Sequence, residues 1–498
     1  MKIFSAPQIR AWDAFTIEHE PVSSVNLMNR AAGVFADWFM ARYPDQSRPI
    51  VVMAGTGNNG GDGVAVARFL HSAQFAAKLA VCDFGTRHSD DFNQQMTFIP
   101  AGIPIASLNN LSELSGFFQE LPEHTLFVDA LFGSGLNRPL TDDWAEVIHL
   151  LNNHPGEKVS IDIPSGLLMD QTTAGAAVVR ASRVFSFEAP KRAFFFPENE
   201  KYTGKWEYGS IGLHPDYETT TDTPFHYLTE GVARKIIQPR SVFSHKGSYG
   251  HALIVAGSYG KMGAAALASR ACLRAGAGLL TVHAPRCGYI VLQGSVPEAM
   301  YSPDHRAQFL SDIPDLENFN AVGVGPGIGQ APETAHALEK LLCQCHAPLV
   351  LDADALNLLA LNRDWFDLLP ENTIMTPHPK EFERLFGKTP DNFARNELQR
   401  AMAVRYRTVI VLKGAHTAVA LPDGSCWFNS SGNPAMATAG AGDVLTGVIT
   451  GLLAQGYTPE ESALLGVWAH GHAGDMAVAA SDRQSLIAGD IIDFIFRK

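Results

Sequence analysis

The chain has 498 residues, too many for one hydrophobic core, so about two to four domains are expected. Its 46% apolar and 18% charged residues are a globular composition, and a net charge of −13 argues against nucleic acid or an anionic membrane as a partner held by bulk charge. The charged N-terminus and the lack of any uncharged run of about 18 large apolar residues give no sign of a signal peptide or membrane span. Cys82, Cys272, Cys287, Cys343, Cys345 and Cys426 are scattered without zinc spacing, which points to free thiols in a reducing compartment, the cytoplasm.

In chain order, residues 1–48 read as helices. Pro7 lies near a helix start after Ser5, and VNLMNRAAGVFADWFMARY has apolar residues at helical spacing. PIVVMAG is a β-branched strand ending in Gly55, followed by the turn TGNNGGDG and the helix VAVARFLHSA. This is the opening of an α/β unit. AAKLAVCDF, HTLFVDALFGSGL, EKVSIDIPSGL and RVFSFEAP supply further strands, the second ending at Asp129 and the third at Asp162. Strands alternating with helices imply a mostly parallel, doubly wound sheet. Gly212 to Pro224 is polar, Thr-rich and bracketed by prolines, so it reads as a linker. The expected boundaries are residues 1–212, a linker over 213–224, and a second α/β domain over 225–498. In that second domain GHALIVAGS, GLLTVHAP, NAVGVGPGIG, APLVLDADAL and NTIMTPHP carry strands, and RTVIVLKGAHTAVALP reads as two strands meeting at Gly414.

The chain is organised around TAGAGDVLTGVITGLLAQG, Thr438 to Gly456. Gly440 and Gly442 allow close approach of the backbone to a ligand. The free N–H groups of the following helix form an anion site, and Asp443 stands in its first turn. An anion hole beside a carboxylate suggests phosphoryl transfer to a hydroxyl, with Asp443 taking the proton. The plainer alternative is a helix start with an acidic N-cap.

In the first half, GTGNNGGDG, DALFGSGLNRP and DIPSG each follow a strand and should share the carboxyl edge of a parallel sheet. Asn58, Asn59, Asp62, Asp129, Asp162 and Ser165 could therefore converge. Gly55, Gly57 and Gly60 also satisfy G-x-G-x-x-G, with Asp83 near the place of a ribose-binding acid, as in a hydride-transferring dehydrogenase. The two Asn and Asp62 are unusual in that fingerprint. Asn59, Asp129 and Ser165 offer only oxygen donors from their acidic and polar side chains, which suits a hard cation as readily as it suits ordinary turns.

These three segments, in this order and spacing over residues 1–212, resemble the epimerase domain of NAD(P)H-hydrate repair enzymes. The resemblance implies that Asn58, Asn59, Gly60, Gly61 and Asp62 bind the damaged nucleotide. It implies phosphate binding by Gly133, Ser134, Gly135, Leu136, Asn137, Arg138 and Pro139. Asp162 would be the acid/base, and Asn59, Asp129 and Ser165 would hold potassium. Asn29 departs from the acidic residue that relatives often carry after LM.

Over residues 225–498, GHALIVAGSYGKMGAAALASRACLRAGAGLLTV, VGPGIG, LDADALNLL, TPHPKEFERL, LKGAHT and TAGAGD resemble the ribokinase-like, ADP- or ATP-dependent NAD(P)H-hydrate dehydratase. This implies that Asp443 is the base at the nicotinamide hydroxyl. Gly442 and Lys413, Gly414, Ala415, His416 and Thr417 would line ADP, with magnesium. Gly263, Ala264, Gly327 and His378 would line the hydrated nucleotide. Related kinases carry Asn-x-x-Glu; here His378 and Glu381 take those places, as in the dehydratases.

Together the halves imply a bifunctional enzyme, Rossmann-like then ribokinase-like. It would epimerise hydrated NADH and NADPH at C6 and dehydrate the S epimer at the expense of ADP. A fused chain resembles prokaryotic, ADP-dependent members. A homo-oligomer with no nucleic-acid or membrane partner is expected. The alternatives are a small-alcohol or vitamin kinase fused to a nucleotide-binding regulatory domain, and a first half that is only a binding scaffold.

Overall fold

Short runs of β-branched and aliphatic residues, each followed by a glycine-bearing turn and a helix, build two parallel sheets. The computed structural model describes residues 1–498 apart from Thr86, Asp482 and Lys498. The chain divides into two units, Lys2–Thr223 and Pro224–Lys498, the second including Met1.

In the first unit the strands are β1 (Ile50–Ala54), β2 (Ala77–Cys82), β3 (Ile105–Leu108), β4 (Leu126–Ala130), β5 (Glu157–Ile161), β6 (Arg183–Phe187) and β7 (Lys205–Gly209). Their order is β3-β2-β1-β4-β5-β6-β7, and every pairing is parallel. The central strands are buried on both faces, which is why they read as unbroken apolar runs rather than alternating ones. Val52, Val64, Val66, Leu79 and Val128 fill one face; Met53, Leu114, Phe127 and Ile148 fill the other. The strand order reverses between β1 and β4, so the connections leaving their carboxyl ends turn to opposite faces of the sheet and leave a crevice between them. Two helices precede the sheet, Ala6–His19 and Ser24–Arg42. Residues 213–224 carry a short helix, Pro215–Thr220, and Tyr217 stacks on Trp12 at 5.8 Å.

The second unit has β8 (Phe225–Tyr227), β9 (His251–Val255), β10 (Leu279–Ala284), β11 (Met300–Pro303), β12 (Ala321–Val324), β13 (Leu349–Leu351), β14 (Ile374–Met375), β15 (Val409–Leu412), β16 (Thr417–Ala420) and β17 (Cys426–Asn429). They form one sheet, β11-β10-β9-β12-β13-β14-β15-β16-β17-β8. It is parallel from β11 to β15, and β15, β16 and β17 then pair antiparallel. The expected turn at Gly414 is the β15–β16 hairpin. The helix Ala441–Ala454 lies against the sheet, and small residues let it come close. A Cβ on Gly447 would sit 2.1 Å from the Ala268 carbonyl oxygen of the helix Met262–Ala275. No helix among the described residues is long and apolar enough to cross a membrane. None of the six cysteines is in a disulfide among the described residues.

Candidate functional sites

In the first unit, a cavity of about 550 Å³ opens at the β1–β4 crevice. After β1 the chain turns at once into the helix Asn58–Ser72, so the Asn-Asn-Gly-Gly-Asp segment is that helix's first turn. The turn closes because two glycines touch: a Cβ on Gly60 would lie 1.8 Å from the Gly55 carbonyl oxygen. Asn58, Asn59, Asp62, Gly133, Ser134, Gly135, Leu136 and Asp162 line the cavity. Gly60 and Gly61 lie buried behind that wall, while Asn137, Arg138 and Pro139 continue the β4 loop beyond it. Asp83 is not at the cavity; its carboxylate meets His88 Nε2 at 2.8 Å.

Asp162 follows β5 with a left-handed backbone, φ +64, uncommon for a residue with a side chain. Its Oδ1 accepts from Phe187 N–H at 3.1 Å and lies 2.7 Å from Lys191 Nζ. Lys191 is only 1% exposed, and Asp162 7%. The ammonium also donates to the Phe187 and Ala189 carbonyls, so its charge is fully engaged. Neither Lys191 nor Asp13, which lines the same cavity from the helix Ala6–His19, belongs to a sequence motif. Burial, then the nearby Asp162, push the Asp13 carboxyl up to about 7. Burial and the Asp162 and Asp13 charges also push the Asp62 carboxyl well up.

Asp129 and Ser165 meet behind the cavity. Ser165 Oγ donates to Asp129 Oδ1 at 2.5 Å, and Ser165 N–H and Ser160 Oγ donate to Oδ2 at 2.9 and 2.7 Å. Asp129 is wholly buried and no basic side chain pairs with it among the described residues, and burial raises its carboxyl. Phe132 N–H donates to Ser165 Oγ at 2.8 Å, and the adjoining Gly133 packs on Asn59, where a Cβ would lie 3.1 Å from Oδ1. Asn59 Nδ2 is buried without a hydrogen-bond partner. The three oxygen-bearing residues are thus neighbours.

The second unit builds its site around the helix Ala441–Ala454. Gly440 is the N-cap at φ +91, a conformation that favours glycine, so Asp443 is the third helical residue and not the cap. Burial, then the Asp352 charge, raise its carboxyl to about 6, while Lys413 opposes the rise. Asp352, just past β13, accepts from Thr446 Oγ1 at 2.8 Å and pairs with Lys413 Nζ at 2.7 Å. A Cβ on Gly442 would lie 3.4 Å from that Nζ. Gly442, Asp443, Asp352 and Lys413 therefore share one point at the carboxyl edge of the sheet. Asp352 was not singled out from the sequence, although LDADAL contains it.

Glu381 Oε2 stands 4.0 Å from Lys413 Nζ. His378 caps the helix Pro379–Phe386. Its Nδ1 accepts from the Lys380 and Glu381 N–H groups, and its own N–H donates to Glu381 at 2.9 Å. The Gly327 carbonyl (φ +66) accepts from Ser258 Oγ at 2.7 Å, and a Cβ there would lie 3.3 Å from Ala264, so the loop after β12 packs on the start of the helix Met262–Ala275, where Gly263 and Ala264 lie. Lys261 beside them meets Asp354 at 3.4 Å, and Asp354 acts on Asp443 by charge. In the β15–β16 hairpin, Gly414 and Ala415 are exposed and Thr417 Oγ1 donates to the Gly414 carbonyl at 3.1 Å. His416 meets Ser430 Oγ at 2.8 Å, and burial lowers its imidazole to about 4.

Residues 252–497 match the family profile described as NAD(P)H-hydrate dehydratase, and residues 24–193 match that of the YjeF-related protein N-terminus. The chain is 34% identical to the bifunctional NAD(P)H-hydrate repair enzyme Nnr of Moorella thermoacetica, covering 99% of this chain and 96% of the relative. It is 32% identical to the Escherichia coli enzyme of the same name, over 99% and 93% of the two chains. A crystal structure described as the ADP/ATP-dependent NAD(P)H-hydrate dehydratase of Bacillus subtilis with ATP/Mg2+ is 32% identical, covering 54% of this chain and 96% of that one at a TM-score of 0.47. A match that runs through both units, with the loops of both sites inside it, means that the chain belongs to the bifunctional NAD(P)H-hydrate repair enzymes and is both epimerase and dehydratase.

Proposed function

We propose that Asp162 moves the proton in the epimerase site and that Asp443 is the base of the dehydratase site. The single observation carrying the first assignment is the buried Asp162–Lys191 pair at the wall of the β1–β4 cavity. Hydrated NAD(P)H bears a hydroxyl at C6, next to N1. Removing that proton lets the C6–N1 bond open and reclose on the other face. Asn58, Asn59 and Asp62 hold the nucleotide at the cavity wall, and Gly133 to Pro139 hold its phosphates.

In the second site hydroxide leaves poorly and phosphate well. Phosphorylating the C6 hydroxyl, with N1 pushing electrons, permits elimination to NAD(P)H. Asp443 takes the hydroxyl proton. Gly442 and the helix N-terminus face the transferred phosphoryl group, and Lys413 offers it positive charge. ADP is the donor, lying along residues 413–417, and leaves as AMP. Gly263, Ala264, Gly327 and His378 border the hydrated ring. The carboxylates of Asp352 and Glu381 suit a magnesium ion held mainly by nucleotide phosphates, because that ion prefers one or two carboxylates plus phosphate oxygens. Such an ion supplies charge to the transferring phosphoryl group.

Potassium fits Asn59, Asp129 and Ser165. A buried carboxylate without a basic partner is costly, and a monovalent cation nearby offsets that cost. Six cysteines outside disulfides among the described residues suit the reducing cytoplasm.

The test uses mixed hydrate epimers with ADP, followed at the reduced-nicotinamide absorbance. Asp162→Ala should convert only the S fraction, apart from slow spontaneous epimerisation. Complete conversion at the native rate would remove Asp162 from the chemistry.

A further inference from the structure

We propose that Asp13 is the second proton carrier of the epimerase site, delivering a proton to N1 of the hydrated ring while Asp162 takes one from the C6 hydroxyl. The inference rests on the assignment of Asp162 given above and extends it to a residue outside the three glycine-bearing loops.

Ring opening of a carbinolamine needs two groups. When the C6–O–H proton leaves, the oxygen electrons form C6=O and the C6–N1 pair withdraws to nitrogen. N1 then needs a proton. The product is a neutral aldehyde isomeric with the hydrate, so nothing is oxidised or reduced. C6 is now planar. Rotation about the C5–C6 bond presents its other face, N1 attacks, the N1 proton returns to its donor and the aldehyde oxygen recovers a proton as hydroxyl. Each turnover restores the starting state of both carriers, so one enzyme form serves both directions. That form has one ionised and one protonated acid.

Asp162 and Asp13 are built for those unequal roles. Lys191 lies 2.7 Å from Asp162 and supplies the countercharge of a carboxylate. Asp13 has no hydrogen bond or ion pair of its own among the described residues, yet it lines the same cavity from a different element. The charged groups acting on it are Asp162, Lys191 and Glu188, and Asp62, Asp91, Arg10 and Arg87 also line the cavity. Of the three that act on it two are carboxylates, and the single ammonium is already paired. Glu188 is engaged elsewhere, accepting from Ser210 Oγ and Ile211 N–H at 2.8 Å each. Protonation of Asp13 relieves the repulsion, consistent with its carboxyl being raised to about 7. An acid near neutrality that faces its base partner across a cavity is the arrangement proton shuttling requires.

The experiment follows the ratio of the two hydrates by chromatography, with the full chain and no ADP. The native kcat should fall as pH rises above about 7, because the acid must carry its proton. Asp13→Asn should lose about 10²–10⁴-fold in kcat, with KM changed by less than about threefold, and should lose that high-pH fall. Asp13→Glu should recover part of the rate. A native kcat that stays flat from neutral to alkaline pH would overturn the proposal without any variant. So would Asp13→Asn at native kcat, or a variant altered in KM alone. Asp162→Asn is run in parallel. If it keeps native kcat, the Asp162 reading fails, and the pairing with Asp13 fails with it. If it is dead while Asp13→Asn is active, only the present proposal fails.

Discussion

Lys191 Nζ stands 2.7 Å from Asp162 Oδ1, both side chains almost wholly out of solvent. The pair joins the turn after β5 to the turn after β6. Desolvating two charges is expensive, and here three contacts to the ammonium offset it: one carboxylate and two backbone carbonyls. Such a pair adds little net stability, but breaking it from one side leaves a buried charge.

Lys191→Met should therefore destabilise the first unit by about 3–5 kcal/mol. Adding Asp162→Asn should recover most of that loss, since no unpaired charge remains. Denaturant unfolding of the single and double variants measures both. Additive losses in the double variant would deny the coupling.

Asp443→Asn keeps the shape of the side chain but cannot accept the hydroxyl proton. Loss of a general base costs about 10²–10⁴-fold in rate, or roughly 3–5 kcal/mol of barrier. Dehydration of the S hydrate with ADP should fall by at least about two orders of magnitude, while epimerisation is untouched. Gly440, not Asp443, caps the helix, so the swap should leave the melting temperature unchanged. Near-native turnover would sink the assignment.

The pH dependence of dehydration follows from the same group. A base must be ionised to act, and burial and Asp352 raise Asp443 to about 6. Dehydration should therefore rise with pH through about 6 and level off above it. Asp352→Asn removes one of the raising charges and should move that rise to lower pH. A shift to higher pH would contradict it.

Potassium should support epimerisation, and replacing it with a bulky organic cation at equal ionic strength should reduce the rate. Asp129→Asn should abolish that difference. Its readout beyond activity is thermal unfolding: potassium should raise the melting temperature of the native chain but not of the variant, because a ligand stabilises only the state that binds it. An equal rise in both would count against the site.

Gly60→Ala tests the turn at the cavity wall. The added Cβ would meet the Gly55 carbonyl oxygen at 1.8 Å, so backbone must move. A loss of about 1–3 kcal/mol in unfolding free energy, with epimerisation impaired, is expected. Gly57→Ala, where a Cβ would meet nothing within 4 Å, is the control.

The local parts of this protein were legible in its sequence. β1 and the helix after it could be read because both are dictated by neighbours: an apolar run, a glycine turn, a helix face. The same holds for the Gly440–Asp443 helix start. β3, β7, β8, β11 and β17 were missed. They are short and lie at or near sheet edges, with partly exposed residues that give no clean apolar run. Asp83 fell at a plausible ribose-binding distance, but spacing along a chain does not say which way a side chain turns, and it faces His88.

What only the tertiary structure decided is which distant side chains meet. Asp162 and Lys191 are separated along the chain by β6, and they pair because β5 and β6 are parallel neighbours whose ends emerge at the same edge. Asp13 joins them from the helix Ala6–His19, whose sequence carries no motif. Asp352 and Lys413 meet across β13, β14 and β15. Burial supplies the rest: the raised carboxyls of Asp13 and Asp443 come first from the water that packing excludes. Residue type and order determined the strands, turns and family; desolvation and charge proximity, properties of the folded chain alone, determined which carboxylates can hold a proton.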